Sequence, residues 1–287
     1  MRNVLRGMLV LALILCCACA SAEGFGTAST QLDKYNAGME AYNGKEYAEA
    51  AAYFQSAGNL NDAKKWAYYC QAIDSVVNGK GTTKELKHAQ ARFELLAGQS
   101  FQQADQWVTY CMGRAYELEG FTDVAAERYY GKVLVQDSLE RYMNCVGKPD
   151  LLETEESVRS RTEPHILILP KNLLYEEAML DYMEDKPESY RRAADYFCLA
   201  GNYEDALQWR CYCLAISLIV GDDNVSDAAV LFGLLGDLGF EEAEPWIAYC
   251  TGRSYEAEGL GSKAVDYYKT IFIHDSSERY LRLKGVE

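Results

Sequence analysis

The chain is poor in proline, with 5 in 287 residues, which leaves room for long uninterrupted helices. It is poor in histidine as well. His88, His165 and His274 lie far apart, so no histidine-based metal site is expected. Positive charge is in deficit: 28 Lys and Arg stand against 43 Asp and Glu, a net charge of −15. Such a surface repels phosphate backbones, which argues against nucleic acid as a partner. Catalytic signatures are missing too, with no HExxH pair, no phosphate loop and no serine elbow. Asp222-Asp223-Asn224 opens like a calcium loop, but the required Gly and closing Glu are absent, and position twelve is Gly233. The expectation is a protein that is not an enzyme and holds no metal and no cofactor.

What is present is apolar and aromatic. Residues of apolar type make up 49% of the chain, and there are 22 tyrosines and 10 cysteines. Arg2 and Arg6 precede an unbroken apolar run from Met8 to Ala20, too short to span a bilayer. Ala20-Ser21-Ala22 then forms a small-x-small site. Residues 1–22 therefore read as a signal peptide cleaved near Ala22, giving an exported chain: periplasmic, cell-envelope or extracellular. Lipid anchoring through Cys16, Cys17 or Cys19 is the competing reading, but none has a good lipobox in front of it. No second apolar run of this kind follows, so no integral span is expected in the mature chain. Seven cysteines remain beyond residue 22. They are odd in number and lack CxxC spacing, which argues for small buried side chains rather than a disulfide framework or zinc site.

The rest of the sequence repeats itself. Ala57-Gly58-Asn59 returns as Ala200-Gly201-Asn202, and Trp66 as Trp209, both 143 residues later. Phe93, Trp107, Tyr110-Cys111 and Gly113-Arg114 return as Phe232, Trp246, Tyr249-Cys250 and Gly252-Arg253. The expected organisation is a unit over 23–147, a polar linker over 148–169 and a second copy over 170–287. A finer period lies inside each copy. Ala63, Trp66, Tyr69 and Cys70 share their spacing with Ala104, Trp107, Tyr110 and Cys111. The same spacing recurs at Ala206, Trp209, Tyr212, Cys213 and at Ala243, Trp246, Tyr249, Cys250. Offsets of 3, 6 and 7 put each set on one helix face. A Phe and then a Gly precede every set, as at Phe54 and Gly58, which predicts helix, turn, helix. Seven helices are expected per copy, near 31–43, 46–57, 60–78, 84–97, 102–119, 122–135 and 137–145 in the first. His165 to Pro170 reads either as an extended docking piece or as the lead into the next helix.

Gly113, Tyr116, Gly120, Ala125, Tyr129 and Gly252, Tyr255, Gly259, Ala264, Tyr268 have a small–aromatic–Gly–Ala–aromatic spacing. Gly38, Tyr47, Ala50, Phe54 and Ala57 match it as well. In this the chain resembles the tetratricopeptide-repeat family. The resemblance implies an all-α α-solenoid of helical hairpins, here duplicated into two similar halves, that binds other proteins. Around 60–98 and 203–236 the pattern departs: Ala72 and Ala215 stand where Gly is usual, and the loops are longer.

In that family the first helix of each pair lines a concave groove. Trp107, Tyr110, Arg114 and Glu117 form one stripe that maps there, and Trp246, Tyr249, Arg253 and Glu256 form its copy. A guanidinium beside a Tyr ring can hold a carboxylate or stack on an aromatic, so these eight residues are the candidate binding contacts. The opposing reading makes the aromatics core and pairs each Arg with the Glu three residues on. The functional expectation is an exported, non-enzymatic scaffold for an unidentified protein or peptide. A self-associating structural envelope component is the alternative, and an enzyme with an unrecognised site between the halves is a third reading.

Overall fold

The computed structural model describes the backbone of residues 22–285 and the side chains of residues 30–285. The apolar run expected to be a signal peptide, and Cys16, Cys17 and Cys19 within it, lie outside the described residues. The described chain is all-α, with sixteen α-helices that pack sequentially in antiparallel pairs. None of them is long and apolar enough to cross a membrane. The chain divides into two compact units, residues 1–120 and 121–287.

The first unit contains α1 (Ala22–Asn43), α2 (Tyr47–Ala57), α3 (Ala63–Val77), α4 (Thr83–Ala97) and α5 (Ala104–Leu118). Each helix packs on the next in the chain. Their ends are set by local chemistry. Gly58 closes α2 with φ +70°, a conformation that costs other residues more. Thr82 caps α4: its hydroxyl accepts from the Glu85 amide while Glu85 accepts from the Thr82 amide, so two otherwise orphaned donors are satisfied. The buried faces carry the aromatic sets. Phe54 stacks on Trp66 with ring centres 5.5 Å apart, and Phe93 stacks on Trp107 at 5.3 Å. Tyr42 meets Trp66 edge-on at 4.9 Å. The ring of Phe54 also lies over Gly38, where an added Cβ would come within 2.9 Å.

The second unit contains α6 (Thr122–Arg128), α7 (Ser138–Cys145), α8 (Glu155–Arg161), α9 (Pro164–Leu167), α10 (Lys171–Met183), α11 (Pro187–Ala200), α12 (Ala206–Asp222), α13 (Val225–Asp237), α14 (Glu244–Ala257), α15 (Gly261–Tyr268) and α16 (Ser276–Lys284). Short 3-10 turns lie at Tyr130–Lys132, Pro149–Leu151 and Glu241–Ala243. Phe197 stacks on Trp209 at 6.1 Å and Phe232 on Trp246 at 5.5 Å. Tyr182 meets Trp209 at 5.0 Å. All four tryptophans thus lie against a Phe of the preceding helix.

Three expectations are corrected. The helix expected over 122–135 ends at Arg128 and continues only as the 3-10 turn at Tyr130–Lys132. Gly236 is not a turn but lies inside α13, where an added Cβ would come within 2.7 Å of Ile247 Cδ1. Most important, residues 148–169 are not an exposed linker. They fold as a 3-10 turn, α8 and α9, and bury Leu152, Val158 and Ile166 in the core of the unit. His165 to Pro170 is therefore the helical lead into α10 rather than an extended piece. The polar composition misleads because one apolar residue per turn is enough to dock a short helix on a larger surface.

The seven cysteines of the described chain are thiols, six of them buried. Burial pushes the Cys70, Cys111, Cys211 and Cys250 thiols up to about 12, so they stay neutral and pack as small apolar groups.

Candidate functional site

The two expected stripes fall on α5 and α14, and their aromatic members are interior. Trp107 is 4% exposed, Tyr110 1%, Trp246 7% and Tyr249 0%. A ligand does not reach those rings without parting the helix pairs, so they are packing residues rather than lining. The two arginines meet different neighbours.

On α14 the polar members of the stripe, Tyr249, Arg253 and Glu256, are all engaged. Tyr249 Oη donates to Asp275 at 2.7 Å and accepts from Arg253 Nη1 at 3.1 Å. Arg253 pairs with Asp223 at 2.9 Å, not with Glu256. Glu256 accepts from Tyr268 Oη at 2.6 Å, Arg279 at 2.9 Å and Arg282 at 2.7 Å. Burial works against the Glu256 carboxylate, yet these three donors together hold it below the usual range. The Arg253 hydrogen bond does the same for Asp223.

On α5 the arginine is held differently. Arg114 Nη1 donates to Tyr110 Oη at 3.4 Å, and Glu117 lies 3.8 Å from Nε. Nε is buried and finds no acceptor. The surroundings of the two guanidinium groups differ at one residue. Asp223 precedes Asn224, the N-cap of α13, with φ +49°. Gly81 precedes Thr82, the N-cap of α4, with φ +67°. The two positions correspond, and Gly81 offers no carboxylate where Asp223 does. An added Cβ at Gly81 would lie 3.4 Å from Arg114 Nη2. Gly81→Asp is therefore expected to supply a carboxylate beside the terminal nitrogens of Arg114. Both Gly81→Asp and Gly81→Ala carry the cost of a side chain at positive φ. Urea unfolding should find the Asp variant more stable than the Ala variant by about 0.5–1 kcal/mol. The gap should close in an Arg114→Met background. An equal gap with and without Arg114 would show that no pair forms.

The second unit also holds a cleft of about 340 Å³ whose residues were not expected to meet. Its floor is Leu151, Leu214 and Leu218. Two ion pairs stand on the rim. Lys148 Nζ donates to Asp227 at 2.6 Å, and Arg191 donates to Glu153. Glu153 is a hub: its carboxylate also accepts from Arg161, and its carbonyl accepts from the buried Arg210. Arg161 spans from Glu153 to Asp195 on α11, pinning α8 to that helix. Hydrogen bonds from Arg161 hold Glu153 below the usual carboxylate range, and Lys148 does this for Asp227. The cleft exists because residues 148–161 fold over α11 and α12. One local signal of that was present. Thr154 caps α8, Glu155 and Glu156 fill its first turn, and Arg159 and Arg161 its last, which suits the helix dipole at both ends.

A third feature lies on α10, which packs on α11. Its outer face leaves Leu173, Leu180 and Met183 exposed, at 38%, 59% and 69%. Leu173 and Leu180 are two turns apart, and Glu176, Glu177 and Glu184 surround them, all exposed. Among the described residues no group of three or more His, Cys, Asp or Glu is placed to hold a metal. No family model matches the chain, and neither a curated protein nor a solved structure matches it.

Proposed function

We propose that this chain is an exported, non-enzymatic scaffold of the tetratricopeptide-like kind, built by duplication, that binds a partner protein through the outer face of α10. Duplication is supported by ring contacts that recur from one copy to the next. Tyr35 and Phe54 are 5.4 Å apart, and Tyr175 and Phe197 5.3 Å. Tyr42 and Tyr47 are 6.0 Å apart, as are Tyr182 and Tyr190. The tetratricopeptide-like reading is supported by Gly38 and Gly252, each of which admits an aromatic ring of the following helix. Export rests on the Arg2 and Arg6 charges and the apolar run after them.

The observation that carries the binding role is the α10 face. Three large apolar side chains share one side of a helix, at a free-energy cost in water, inside a fringe of carboxylates. The matching partner is a basic amphipathic helix: apolar residues on the Leu173–Leu180 seam, lysines or arginines on Glu176 and Glu177. The probe is a synthetic leucine–lysine amphipathic peptide, with its leucine–glutamate twin as control. The lysine peptide should bind the wild type, more weakly as salt rises. The double substitution Leu180→Asp/Met183→Asp should weaken it at least tenfold without lowering the melting temperature, since both side chains are exposed. Equal binding of the two peptides, or of the variant and the wild type, would sink this reading. A concentration-dependent dimer in light scattering, abolished by the same double substitution, would hand the face to a second copy of the chain instead.

A further inference from the structure

The cleft on the second unit goes beyond a protein-docking role. We propose that it binds a small zwitterion, an apolar α-amino acid or its short peptide. The volume of about 340 Å³ lies at the small end of the range for small-molecule pockets. Leu151, Leu214 and Leu218 provide an apolar floor with room for a side chain of leucine size. What makes the site selective is the hydrogen-bonding capacity left on its rim.

Each rim cation is bound to one carboxylate and keeps donors to spare. Lys148 gives one N–H to Asp227, and Arg191 gives one guanidinium nitrogen to Glu153. Both side chains remain partly open, at 38% and 43%. An ammonium carries three donors and a guanidinium five, so a ligand carboxylate finds partners without breaking either pair. The anions are in the opposite position. Asp227 and Glu153 are spoken for, but Asp150, exposed on the same rim, makes no ion pair among the described residues. It is the acceptor for a ligand ammonium. Spare donors, a spare carboxylate and an apolar floor between them describe a molecule charged at both ends with an apolar side chain.

Titration calorimetry on the full mature chain tests this with four probes: L-leucine, the dipeptide Leu-Leu, N-acetyl-L-leucine and L-leucinamide. Leucine or Leu-Leu should bind. Acetylation removes the ammonium and amidation the carboxylate, so each single change to leucine should weaken binding at least tenfold. Preference for Leu-Leu over leucine would assign a peptide terminus, and the reverse a free amino acid; both support the site. Asp150→Asn should weaken the uncapped ligands tenfold and leave the melting temperature of the unliganded chain unchanged, because Asp150 is exposed and unpaired. No heat from any probe, equal binding of capped and uncapped leucine, or an Asp150→Asn variant that binds like the wild type would overturn the proposal.

Discussion

Trp246→Ala is expected to lower the melting temperature by about 6–20 °C. The indole is 7% exposed and lies flat against Phe232, with ring centres 5.5 Å apart and planes 7° from parallel. Tyr249 meets it edge-on at 5.8 Å, and its Nε1 donates to Tyr212 Oη at 3.2 Å. Truncation removes the apolar burial, leaves a cavity and strips the Tyr212 hydroxyl of a donor. Buried Trp→Ala changes of this kind cost about 3–5 kcal/mol. For a chain of this size each kcal/mol is worth roughly 2–4 °C. Trp246→Phe should recover most of the loss, because it keeps the stack and gives up about 1 kcal/mol of hydrogen bonding. Calorimetric melting reads both. A shift below about 2 °C for the alanine variant would mean that the ring is not part of the core.

The second large effect is expected at Gly252. An added Cβ there would come within 2.6 Å of Tyr268 Cε1 and 2.9 Å of Cζ. The Tyr268 ring cannot swing aside cheaply. It is 1% exposed, and its hydroxyl is tied to Glu256 at 2.6 Å, which Arg279 and Arg282 hold in turn. Gly252→Ala should therefore destabilise by about 1–3 kcal/mol, although alanine is the better helix former. Gly252→Leu should cost more, since α14 and α15 must then separate. Gly233 on α13 is the internal control: it is exposed, and an added Cβ meets nothing within 4 Å. Gly233→Ala should be neutral or stabilise by up to about 1 kcal/mol. The opposite signs of these two Gly→Ala changes in one fold isolate close approach from helix propensity. Gly252→Ala that melts like Gly233→Ala would refute the packing argument.

Both residues were legible because they sit in periodic patterns. The spacing of Ala, Trp, Tyr and Cys marked four helix faces, and a Phe upstream of each set marked the facing helix. Three or four large rings suffice to place a hairpin. What stayed hidden was anything decided between patterns. One of the two readings put the partner of Arg253 on its own helix, because i,i+3 pairs can be read from spacing. The actual partner, Asp223, sits in a left-handed turn that spacing does not announce. The rim of the cleft draws on Lys148, Glu153, Arg191 and Asp227, and the Lys148–Asp227 pair bridges 79 residues. No local rule joins positions that far apart. Segment 148–169 was misjudged for the same reason: its Leu152, Val158 and Ile166 are too sparse to form a stripe, and their burial depends on the surface that α11 and α12 present.

The way each helix leans on its neighbours in the chain has a mechanical corollary. Most contacts join consecutive helices, so little holds one end of a unit to its far side. Stretched from its ends, such an array peels hairpin by hairpin, with a train of small force drops rather than one rupture. The ion pairs that join distant positions of the second unit, Arg161 with Asp195 and Lys148 with Asp227 among them, are exceptions, and tension should stall there before the unit lengthens further.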